Sequence, residues 1–352
     1  MNLTKTTLLE AMKKCLPGVE KGSSLIEGAD TFLFTGSHLH SYNDSVAVSV
    51  PVALDGMSGA VKALDFFRLV SKLNAPLIVA EATESKLNLV AGRTKAHIVF
   101  ITTQTMDYIK ELKLDGLDWE PIPSNFMEVV KLCKMSCNPT PLRGLFISGL
   151  LMASTDSARI NHFVLSSEMD PVWLDDPTIN EMVKLGDPLE YSCSGPWFHT
   201  RYKDGAMFSC KRKDHSQFPM VAVEENINAV VGVADEFVVH NRLPKALAEA
   251  VDRVSTMASG ETATSMLIRM TFKQDEVELY ATKHHGDAEE SVPMEAPFAE
   301  DPNLVLWVES SFLLEASKKV MDFYVVRKPD ELPALVFHTP NYTQLASTND
   351  GM

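Results

Sequence analysis

Apolar residues recur at the three-and-four spacing of one buried helix face in three separate stretches: TKTTLLEAMKKCL (4–16), SNFMEVVKLCKMS (124–136) and NRLPKALAEAVDRVSTMA (241–258). Local punctuation frames each stretch. Pro17-Gly18 ends the first, Ser124 or Asn125 caps the second before Asn138-Pro139, and Asn241 caps the third before a stop at Gly260. Behind each helix the period changes to two, over 30–52, 142–166 and 265–294, with Lys273-Gln274-Asp275 as the turn of a hairpin. The helix starts lie about 120 residues apart, and a third of the 352-residue chain is about 117, which predicts internal repetition.

A second helix follows in each repeat, over 60–74, 175–186 and 309–322, and each leads into further paired strands (76–102, 188–213 and 323–347). The stretches 113–125 and 220–237 read as connectors between compact modules. The expected organisation is α+β: three repeated domains, 1–117, 118–232 and 233–352, each with two helices packed on antiparallel sheet.

Composition narrows the function classes. With 45% hydrophobic and 22% charged residues the chain is globular, and its net charge of −15 argues against gripping nucleic acid through the whole surface. The charge is unevenly placed, however. The six helical segments carry fourteen basic and eleven acidic side chains, a net +3 against −18 for the remainder. A weakly basic helical surface suits a polyanion held loosely enough to move.

Five cysteines (Cys15, Cys133, Cys137, Cys193, Cys210) have no zinc-site spacing and read as free thiols of a reducing compartment. The charged N-terminus is unlike a signal peptide, and no apolar run approaches 18 residues, so a cytoplasmic protein with no membrane partner is expected. His38, His40 and Asp44 form the nearest approach to a metal-ligand pattern, followed by the His284-His285 pair, and neither completes a shell. No phosphate loop, nucleophile elbow or HExxH string occurs, so neither catalytic residues nor a cofactor are expected.

Three strings, in order, carry a resemblance: ASTDSARI (153–160), AMFSCKRKDHSQFPMV (206–221) and ATKHHGDAEESVPM (281–294). Together with the threefold repeat they are similar to the bacterial-type DNA polymerase III β sliding clamps, across nearly the whole chain. The divergence suggests a phage or otherwise remote member. The resemblance implies three DNA-clamp domains per chain forming half of a closed ring, helices lining the hole. It implies a homodimer that encircles double-stranded DNA, performs no chemistry, and tethers a DNA polymerase and a clamp loader.

By the same resemblance, Leu142, Thr155, Arg159, Ile160 and Pro219 fall at peptide-pocket positions, with Leu345 substituting in part for a missing Met-Pro-Met-Arg ending. Ser157 and Ala158 replace the family's Gly-His, which implies an altered motif preference. Lys21 falls at a basic DNA-contacting position, with Lys13, Lys14, Arg68, Lys72, Lys131 and Lys134 as further lining residues. Ring closure is expected where the edge strand 93–101, bearing Lys95, His97 and Val99, meets Val254, Met257 and the strand after them. The alternatives are a β-rich structural or assembly protein of a phage particle, and an enzyme whose site is assembled only by folding.

Overall fold

The first helix, α1 (Lys5–Cys15), starts where a side chain can satisfy its unpaired amides: Thr4 Oγ1 accepts from the Thr7 N–H at 3.3 Å. Leu8, Ala11, Met12 and Cys15 are its buried face, and Pro17 in the following 3-10 turn ends it. The computed structural model describes residues 2–22, 25–54, 57–101, 105–133, 142–156, 158–237, 241–258, 267–299, 303–317, 320, 322–327 and 332–349. Among these the chain is α+β and its strands pair antiparallel. It divides into two compact units.

Unit one comprises 1–127 and 172–215. Its larger sheet contains β2 (Thr31–Thr35), β3 (His38–Tyr42), β4 (Val46–Pro51), β5 (Ser58–Lys62), β9 (Glu120–Pro121), β12 (Glu190–Ser194), β13 (Trp197–Arg201) and β14 (Met207–Lys211), in the order β5-β2-β3-β4-β14-β13-β12-β9. β14 joins β4 in the register Phe208↔Val48, so one continuous ladder links the first expected repeat to the second. A smaller sheet, β1 (Asn2–Thr4), β6 (Leu77–Ala82), β7 (Lys86–Ala91) and β8 (Thr94–Val99), leaves β8 as an outer strand. Its alternation is plain: Ile78, Ala80, Leu87 and Leu89 are buried, while Val79 and Val90 face outward. Helix α1 packs on β3 and β4, where Ser41 Oγ donates to the Cys15 carbonyl at 2.6 Å. This unit also holds α2 (Ala63–Lys72), α3 (Thr105–Glu111) and α5 (Asp176–Leu185).

Unit two comprises 128–171 and 216–352. Its larger sheet runs β10-β11-β22-β21-β20-β15, formed by β10 (Leu145–Thr155), β11 (Arg159–Leu174), β15 (Asn241–Arg242), β20 (Asp322–Val326), β21 (Ala334–Thr339) and β22 (Tyr342–Ser347). The smaller sheet, β18-β17-β16-β19, contains β16 (Leu267–Phe272), β17 (Glu276–Lys283), β18 (Gly286–Pro293) and β19 (Leu304–Glu309). The Lys273-Gln274-Asp275 hairpin joins β16 and β17 as expected. α4 (Phe126–Cys133) belongs largely here, with α6 (Met220–Phe237), α7 (Leu247–Ser255) and α8 (Ser310–Ser317). Leu247, Ala250, Val251 and Val254 form the buried face of α7 against β17 and β18.

The expectations need correction in five places. The supposed connector 220–237 is the 18-residue helix α6. The Pro219 carbonyl accepts from the Val223 N–H at 3.0 Å, and Val223, Ile227 and Val230 are buried at helical spacing. Burying each contributes about 1.5–3 kcal/mol, enough to fix the helix although Val221, Glu224, Glu225 and Asn228 are exposed on it. The third helix begins at Leu247 rather than near Asn241, because Asn241 and Arg242 pair with Phe323 and Asp322 in the sheet. Asn241 Oδ1 accepts from Ala299 N–H at 3.0 Å and so is not a helix cap. Residues 60–62 belong to β5, before α2 begins, and Asp322, expected to close the last helix, opens β20 instead. Helix α3 was not expected at all.

Candidate functional site

Three places gather the side chains singled out in the sequence. The first is a cleft of about 230 Å³ in unit two, where α6 lies over β20, β21 and β22. Ile160 and Leu345 are cross-strand partners on β11 and β22 and both line it, with Asn226 and Val230 of α6 opposite. Tyr324 anchors the helix by donating to the Val230 carbonyl at 3.2 Å. Among the described residues no charged side chain lines this cleft.

Thr155 and Arg159 lie inside the protein instead. Thr155 Oγ1 donates to the Arg159 carbonyl at 2.7 Å. The Arg159 side chain is 2% exposed, and its Nε and Nη2 donate to Asp156 at 2.9 and 2.7 Å while Nη1 donates to Glu315 of α8 at 2.7 Å. Phe312 places its ring 3.9 Å from the guanidinium carbon. With both edges and one face occupied, Arg159 acts as an internal strut beneath Ile160. Pro219 starts α6, and half-buried Leu142 lies outside the cleft lining. Ser157, which helps set the expected pocket wall, and the terminal residues 350–352 fall outside the described residues. Asn226 and Val230 escaped the sequence reading, although the Val223–Ile227–Val230 spacing was their signal.

The second place is a cleft of about 380 Å³ in unit one, between the end of α1, α2 and the end of α5. It brings together Lys13, Lys14 and Lys21 and adds Lys184, which sequence reasoning counted in the helical charge without assigning it a site. Lys14 pairs with Asp204, whose carboxyl is lowered below its usual range by hydrogen bonds from Lys14 and Ala206 that outweigh its desolvation. Lys184 pairs with Glu181 at 2.8 Å. Arg68 and Lys72 are exposed on α2, Arg68 within 3.8 Å of Asp65, and neither lines the cleft. Lys131 is exposed on α4, and Lys134 lies outside the described residues.

The third is a pair of outer strands. On β8, Lys95, His97 and Val99 share the exposed face, and His97 Nδ1 meets Asn88 Oδ1 at 2.7 Å. On β18 the exposed residues include Asp287 and Glu289, while Glu290 takes both Arg253 Nη2 and Nε at 2.6 and 3.0 Å. The strand signs are opposite, basic on β8 and acidic on β18. Met257 is half-buried, with its methyl close to Gly286, whereas Val254 is buried in the α7 core at 2% exposure.

Among the described residues no group of three or more His, Cys, Asp or Glu converges as a metal site would require. His38 and His40 stack at 5.7 Å, and burial, then His38, lowers the His40 pKa to about 4. Asp44 takes Lys211 at 2.5 Å. Nor is any described helix long and apolar enough to cross a membrane.

No family sequence model and no curated protein matches the chain. Solved structures do. A Helicobacter pylori β clamp in complex with 3,4-difluorobenzamide is 14% identical, covers 99% of each chain and superposes with a TM-score of 0.78. The DNA polymerase sliding clamp of Pseudomonas aeruginosa is 16% identical over 99% of each chain, at 0.76. The DNA polymerase III β chain of Streptococcus pneumoniae is 12% identical, covering 99% of this chain and 98% of its own, at 0.78. At such identities the likeness establishes the fold, which is the α+β fold of the bacterial β clamps with their three repeated domains.

Proposed function

We propose, from the premise that the chain has the β-clamp fold, that it is a DNA sliding clamp: two copies close into a ring around duplex DNA and tether a replicative polymerase. The single observation that carries this reading is the shared fold along almost the whole chain. The three repeats, 1–117, 118–232 and 233–352, would each supply helices to the hole. The outer strands support ring closure, because β8 and β18 carry opposite charge and each leaves an open edge that another strand can pair.

Such a ring performs no chemistry. Its holding is topological, and tethering raises the effective concentration of the polymerase at the primer end. Lys13, Lys14 and Lys21 would meet phosphates weakly, leaving the ring free to move. The strongly acidic remainder would repel DNA from the outside. The cleft beneath α6 would receive an apolar side chain from a short segment of the polymerase or the clamp loader, because it offers Ile160, Val230, Val326 and Leu345 beside a few uncharged polar groups and no described charge.

The decisive experiment is retention on nicked circular DNA before and after linearisation, with the mass of the assembly in solution. A discrete dimer held by the circle and released by the cut is expected. Equal binding to both forms at moderate salt would mean the holding is not topological.

A further inference from the structure

The lysine cleft of unit one has a feature that duplex phosphates do not need. Its floor is apolar: Leu64 and Phe67 of α2 and Leu185 of α5 are half-buried there, inside a rim of ammonium groups. Phe67 makes no ring contact with another aromatic side chain among the described residues. Two rim lysines, Lys14 and Lys184, already hold carboxylates, whereas Lys13 and Lys21 have no ion pair among the described residues. A volume of about 380 Å³ falls within the range of ligand clefts, about 300–1,000 Å³.

A paired duplex presents phosphates, sugars and base edges to a helical surface but no free base face, because its bases are stacked on one another. It can use the rim but not the floor. An unpaired nucleotide can use both, since its base has an exposed π-face and its phosphate remains anionic. We infer that this cleft binds an unpaired nucleotide of single-stranded DNA, its base against Phe67 and its phosphate between Lys13 and Lys21. The inference rests on the DNA reading above and adds a preference for strand ends or overhangs.

The test compares a labelled ten-residue oligothymidylate with an abasic oligonucleotide of the same length and charge, by fluorescence anisotropy at low salt. The intact protein should bind the base-bearing strand about tenfold tighter. Phe67→Ser should abolish that difference, Phe67→Trp should keep it, and Lys13→Glu should weaken both strands together. Equal affinity of the unaltered protein for the two strands overturns the inference without any variant. So does a base preference that survives Phe67→Ser in a variant with unchanged thermal unfolding. Retention on circular DNA with no base preference removes this inference alone, and base preference without such retention removes the clamp reading alone.

Discussion

The cleft beneath α6 and the cleft among α1, α2 and α5 belong to one chain of net charge −15, yet they are built on opposite terms. The first mixes apolar side chains with polar groups, the amide of Asn226 and the hydroxyl of Ser347 among them, and has no charged side chain among the described residues. The nearby charges lie beneath the surface, where Arg159 pairs with both Asp156 and Glu315. The second keeps four lysines and one glutamate at its rim. Hydrophobic burial responds little to salt, whereas attraction of phosphate does. On the proposed reading, one chain would hold two kinds of partner that vary independently with conditions.

The comparison is broken most forcefully at Arg159. Arg159→Ala would remove the cation that buried Asp156 and Glu315 share, a loss of about 3–5 kcal/mol for a broken buried pair. Urea unfolding should show it, and binding at the α6 cleft should fall with it. A change below about 1 kcal/mol would mean that the strut carries nothing.

Acid should loosen the unit that holds the lysine cleft. His40 on β3 and His199 on β13 have pKa values lowered to about 4, chiefly by burial, with His38 and Arg212 respectively adding to the effect. A folded value below the unfolded 6.5 means that the unfolded chain binds the proton more readily. Stability is thus full above pH 6.5 and is lost as pH falls from 6.5 towards 4. The loss is on the order of 3 kcal/mol for each histidine at most. His199→Asn should flatten the dependence of the denaturation midpoint on pH in that window, and an unchanged slope refutes the assignment.

Salt separates the clefts next. If about four phosphates are engaged, raising salt from about 50 to 200 mM should weaken duplex binding roughly a hundredfold. Binding of the polymerase at the α6 cleft should change far less. Parallel losses at both would erase the distinction drawn between them.

Much of this was legible because burial repeats at fixed intervals. Leu8, Ala11, Met12 and Cys15 mark α1, and Leu247, Ala250, Val251 and Val254 mark α7, by the same three-and-four rule. Helix α6 was hidden because apolar residues occur all along it, Val221, Ala222 and Ala229 included, and blur the period that Val223, Ile227 and Val230 keep. The role of Arg159 was not legible, since Glu315 lies 156 positions away and only the fold brings them together. Asn241 has the chemistry of a helix cap, and nothing local reveals that Phe323 will claim it for a strand. Lys184 was passed over because its helix opens with Asp175-Asp176, and charge counted along a helix does not say which end faces a neighbour.

The smallest effect tests the finest part of the comparison. Ile160 and Leu345 stand opposite each other across β11 and β22, and both contribute to the wall of the α6 cleft. Ile160→Ala should weaken polymerase binding by about 1–2 kcal/mol, the cost of removing part of one apolar contact surface. Leu345→Ala should do much the same. The double substitution should fall short of the sum, because each residue shapes the surface left by the other. Assembly mass and retention on circular DNA should be unaltered, since neither residue lies on β8, on β18 or in the lysine cleft. If the dimer dissociates instead, these side chains serve the core rather than a partner, and the contrast between the two clefts loses its apolar half.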